Sequence, residues 1–128
     1  MMTIAEVEEA LHRDLQILGI PVRIRKESKP ITQDVIFIHV KRREGGTYWR
    51  SGFVEVNFCS PDISGEPAKI RLKELERIGS DFFRQETVGE YNGSYYQYSS
   101  FSQDIIKDET LKCHYVNFRI LLKDLNVI

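Results

Sequence analysis

Two apolar runs, Val35–Val40 and Phe53–Phe58, flank a polar link that holds Gly45 and Gly46. β-Branched and aromatic residues suit a pleated, half-buried surface, and glycine supplies the positive φ a hairpin turn needs. The stretch from Asp34 to Cys59 is therefore expected to be a long antiparallel β-hairpin in the middle of a sheet. Its first strand is apolar on both alternations, which predicts cover on both faces. Its second strand sends Val54, Val56 and Phe58 one way and Phe53, Glu55 and Asn57 the other.

Upstream, Ile4, Val7, Leu11, Leu15 and Leu18 recur at steps of three or four, the period of an amphipathic helix over 3–18. Thr3 and Glu6 have the spacing of a capping box, and Gly19 with Pro21 is placed to end the helix. Val22 to Arg25 alternates apolar and basic, as a short strand does. A loop with Pro30 follows. After the hairpin, Pro61, Asp62, Ser64 and Gly65 mark another loop. A second helix is expected over 67–84, with Pro67 in its first turn and Ile70, Leu72, Leu75, Ile78 and Phe82 as the apolar stripe. Gly79 weakens its far end. Asn92-Gly93 between two strand-like runs predicts a second tight hairpin. The stretch 103–109 reads as irregular. A last strand over 110–122 puts His114, Val116, Phe118, Ile120 and Leu122 on one face and Cys113, Tyr115, Asn117 and Arg119 on the other.

Two amphipathic helices and one apolar sheet face must cover each other. The expected class is α+β: a single domain over 1–128, with one antiparallel or mixed sheet, a long β-hairpin, and two helices packed on one face. Hydrophobic residues make up 41% of the 128, enough for a core of that kind. Lys and Arg total 18 against 19 Asp and Glu, and both halves are equally balanced. Such neutrality argues against a nucleic-acid binder with a strong basic field. No apolar run reaches the roughly 20 residues of a membrane span. The start, Met1 to Glu6, lacks the basic opening of a signal peptide, so the chain is expected to remain in the cytoplasm until it assembles.

Little in the sequence spells out chemistry. Cys59 and Cys113 belong to no CxxC or Cys/His cluster and read as small buried residues in a reducing compartment. Ser51-Gly52 and Ser64-Gly65 lack the GxSxG frame, and the glycines form neither GxGxxG nor a phosphate-binding loop. His39 and His114 are candidates to meet across the sheet and, with Asp34 or Asp104, form a metal or acid–base pair; partly buried, hydrogen-bonded histidines are the plainer expectation. No cofactor, metal or catalytic residue is assigned, and the chain is expected not to be an enzyme. Two surface groups stand out. Lys41, Arg42, Arg43 and Arg50 surround Tyr48 and Trp49 at the hairpin tip. Tyr95, Tyr96 and Tyr98, with Tyr91 and Phe101 nearby, make a tyrosine-rich segment suited to strand packing or to an interface.

The order of these elements, closing on the H-x-V-x-F-x-I pattern of His114, Val116, Phe118 and Ile120, resembles the tail-completion (tail terminator) proteins of long-tailed bacteriophages and prophages. The resemblance implies a structural protein that forms a ring, typically a hexamer, caps the finished tail tube and presents a surface to the head. Its partners would be further copies of itself, the tail tube protein and a head-completion or connector protein. It would act in the host cytoplasm and end in the virion. A ring needs two different patches per subunit; the basic hairpin tip and the tyrosine segment are the expected pair. The alternative is a small adaptor or binding domain for another protein or a nucleic acid.

Overall fold

A computed structural model describes residues 2–24, 27–40, 48–49, 51–85 and 88–125. Lys41, Arg42, Arg43 and Arg50 lie outside the described residues. The chain is α+β. Its strands are β1 (Met2–Thr3), β2 (Val22–Arg23), β3 (Val35–Val40), β4 (Tyr48–Trp49), β5 (Ser51–Pro61), β6 (Val88–Tyr91), β7 (Ser94–Asp108) and β8 (Cys113–Asp124); its helices are α1 (Ile4–Leu15) and α2 (Lys69–Phe83). Six strands form one mixed sheet in the order β2-β3-β5-β8-β7-β6. Among the described residues only the β2–β3 pair is parallel. β1 and β4 pair separately, Met2 opposite Trp49.

The expected hairpin is present, Val35 opposite Cys59 and Val40 opposite Val54. β5 then pairs along its whole length with β8, from Ser51–Lys123 to Pro61–Cys113, which puts it inside the sheet. α1 begins as its sequence requires. The Thr3 hydroxyl accepts from the Glu6 backbone N–H, and the Glu6 carboxylate accepts from the Thr3 N–H, both at 3.1 Å. Its last turn tightens into a 3₁₀ turn, Gln16–Leu18, and Gly19 stops it at φ 71°.

Both helices lie on one face of the sheet. There Val7, Leu11, Leu15, Leu72, Leu75 and Phe83 meet Ile36, Ile38, Val56, Phe58, Val116, Phe118 and Ile120 in one core. Aromatic rings fill its centre edge to face: Phe58 and Phe118 have centroids 5.2 Å apart, Phe83 and Tyr98 5.5 Å.

α2 differs from its expected form. It starts at Lys69 rather than at Pro67, and its buried stripe is Leu72, Leu75, Gly79 and Phe83. Ile70 is 80% exposed and Phe82 only half-buried. Gly79 lies on the buried stripe. It presses α2 onto β8 so closely that a Cβ there would run into the Phe118 ring. What looked like a weak point in the helix is a place of close approach to the sheet.

β7 is the second correction. It runs on as strand through Asp108, where an irregular stretch was expected, and pairs with β8 from Tyr96–Asp124 to Asp108–Cys113 around a bulge between Tyr98 and Phe101. Residues 102–107 are exposed on both faces, so no alternation marks them. The far face of the sheet is partly covered as well. Ile31, Val35, Phe37, Cys59, Leu111 and Cys113 form a second, smaller core there.

Candidate functional site

The tyrosine segment sits where the β6–β7 hairpin meets the polar face of α1. Asn92 (φ 49°) and Gly93 (φ 81°) make the tight turn. Tyr96 and Tyr98, two apart on β7, point to the same face and bury themselves against α1. Both hydroxyls donate to Oδ2 of Asp14, Tyr98 at 2.8 Å. Arg13 donates to the Tyr96 hydroxyl at 3.0 Å and pairs with Asp14 at 3.1 Å. At the rim the Tyr91 hydroxyl donates to Glu9 at 2.5 Å, and Asn92 donates to Glu6 at 3.2 Å. Burial, reinforced by the Asp14 carboxylate, pushes the Tyr96 and Tyr98 phenols up, so both stay protonated donors.

Tyr96 and Tyr98 are therefore not the exposed contacts expected of them. Both phenols share a half-buried carboxylate acceptor on α1, Asp14, and turning either outward would lose that hydrogen bond. Tyr95, on the opposite face, remains 51% exposed. Beside this network lies a cleft of about 510 Å³ between the ends of α1 and α2 and the β6–β7 hairpin. Ile17, Ile78 and Phe82 supply apolar wall, and Asp14, Asp81 and Gln85 supply polar atoms. The sequence shows the tyrosines; it does not show that Asp14, on what reads as the wet side of α1, would be their acceptor.

The two histidines do not meet. His39 lies opposite Glu55 and shares the parity of Phe37, on the far face of the sheet. His114 lies opposite Ser60 on the helix side, half-buried, with Nδ1 2.7 Å from Asp62. Neither expected carboxylate is involved. Asp34 accepts from Ser60 at 2.8 Å and from Arg71 at 2.5 Å, while Asp104 accepts from the Ile105 N–H at 2.8 Å. Among the described residues no group of three or more His, Cys, Asp or Glu is placed to hold a metal. Cys59 and Cys113 are buried thiols, as the sequence suggested.

The hairpin tip lies mostly outside the described residues. Its four basic residues fall outside the described part, and only the backbones of Tyr48 and Trp49 are described, paired with Thr3 and Met2. The sheet itself offers other surface. β6 covers β7 only over Ser94–Gln97. Beyond that, among the described residues, no strand pairs with the outer edge of β7, and none pairs with the outer edge of β2. Ile105 (47%) and Ile106 (38%) are exposed at the first edge and Ile24 (36%) next to the second. No helix among the described residues is long and apolar enough to cross a membrane.

No protein-family model matches the chain, and no curated protein matches its sequence. Four chains of solved structures match, among them one that is similar over 100% of this chain and 99% of its own, with a TM-score of 0.59 and 16% identity. That likeness supports the α+β fold, with its mixed sheet backed by two helices, and carries no function with it.

Proposed function

We propose that this chain is a structural protein of the phage or prophage tail-completion kind, forming a ring that caps the tail tube and joins it to the head. The observation that carries the proposal is a six-stranded sheet whose two end edges, unpaired among the described residues, differ in sequence. Two different, non-overlapping patches are what head-to-tail closure requires. The buried tyrosines fit the same reading as internal ties that fix the β6–β7 hairpin to α1. The basic residues Lys41, Arg42, Arg43 and Arg50 would contact an acidic face of the tube or the head connector.

Imaging tests this. The tagged chain added to purified tail tubes should be found at one tube end. Binding along the tube walls, or no binding, would overturn the proposal. The cleft between α1, α2 and β6–β7 favours a second reading, an adaptor domain that takes an apolar side chain of another protein. Recovery of a stable one-to-one complex in place of a ring would support it.

A further inference from the structure

We infer that neighbouring copies join edge to edge, the outer edge of β7 in one copy pairing antiparallel with β2 in the next. The inference rests on the ring reading and names its seam. Two rows can be followed across the sheet from the pairing register. On the helix-covered face the row is Val22, Ile36, Phe58, Val116, Ile105. On the other face it is Arg23, Phe37, Asn57, Asn117, Asp104. The same two rows therefore begin at β2 and end at β7.

Strand direction agrees. β2 runs with β3, and each step from β3 through β5 and β8 to β7 reverses direction, so β7 runs opposite to β2. A second copy placed at the end of the sheet presents its β2 antiparallel to β7, the direction in which the ladder can continue. Ile105 then faces Val22 and extends the apolar row. Asp104 faces Arg23 and brings opposite charges together. Gln103 faces the half-exposed Ile24.

The local structure suits such pairing. The bulge that would twist this edge away lies at Tyr98–Phe101, and the register with β8 from Phe101 to Asp108 is unbroken. Arg23 currently holds Glu27 at 3.0 Å, with both side chains nearly half exposed. Exposed i,i+4 pairs contribute little, so Arg23 can exchange that partner for Asp104 of the next copy. Because the two edges differ, the contact is heterologous and propagates, as a ring needs.

A charge swap tests the seam. Asp104→Arg and Arg23→Asp are each made alone, circular dichroism confirms folding, and native mass is measured for each variant and for their equimolar mixture. Each variant alone should weaken every seam by roughly tenfold and fail to assemble where wild type does. The mixture should assemble, since each seam then joins opposite charges again. If wild type assembles and the single variants do so equally well, or the mixture fails to recover, the seam is wrong and the ring reading stands. If wild type stays at 15.0 kDa up to millimolar concentration and also in the presence of tail tubes, both are overturned.

Discussion

Asp14→Ala should cost this protein about 3 kcal/mol. The carboxylate takes hydroxyl hydrogens from Tyr96 (1% exposed) and Tyr98 (9% exposed) and also holds Arg13. A hydrogen bond to a charged group contributes about 1.5–3 kcal/mol, so two of them carry about 3–6. The lower end applies, because the adjoining cleft lets water reach this site and the Arg13 ion pair is half exposed. Urea unfolding measures it: at a slope of about 1–3 kcal/mol/M, the midpoint should fall by roughly 1–3 M with the slope unchanged. Asp14→Asn, which keeps an acceptor but no charge, should lie between. Tyr98→Phe should cost about 1 kcal/mol in wild type and far less in the Asp14→Ala background. A loss below about 0.5 kcal/mol for Asp14→Ala, within the range of neutral surface changes, would refute the reasoning.

Three further predictions follow from the same contacts. Because both buried phenols titrate above the ordinary tyrosine value of about 10, their contribution is complete below that pH and is lost as pH rises beyond it; an alkaline titration should show Tyr96 and Tyr98 ionising only as the fold opens. Thr3→Ala should cost about 1 kcal/mol by urea unfolding, and the Thr3 backbone N–H, with Asn92, holds the Glu6 carboxyl below its usual range, so this cap works above the unfolded Glu value near 4.3 and fails as pH falls through the lowered one. Gly79→Ala should destabilise by about 1–3 kcal/mol, although alanine is the better helix former, since its Cβ meets the Phe118 ring; a more stable variant would show that the ring yields.

The features legible in the sequence are those fixed by near neighbours. Thr3 and Glu6 are three apart, Asn92 and Gly93 adjacent, and Val35–Val40 and Phe53–Phe58 joined by one link; each carries its own geometry. What stayed hidden depends on partners far along the chain. Nothing near Gly79 announces that Phe118 will lie against it, or that Phe83 rather than Phe82 will be the fully buried ring. Residues 102–107 lack alternation because all six side chains are exposed, yet the backbone ladder with β8 holds them as strand. Tyr96 and Tyr98 read as surface because their acceptor, Asp14, is more than 80 positions away. The two histidines share a sheet but fall on opposite faces, which follows from parity once the β3–β5–β8 register is known.

The central claim is that this chain assembles head to tail into a closed ring, and native mass over a wide concentration range tests it most directly. With negative-stain images of the largest species, the account predicts one closed particle of about six chains of 15.0 kDa, roughly 90 kDa, with a central hole. A two-fold dimer, or a monomer at every concentration and in the presence of tail tubes, would contradict it.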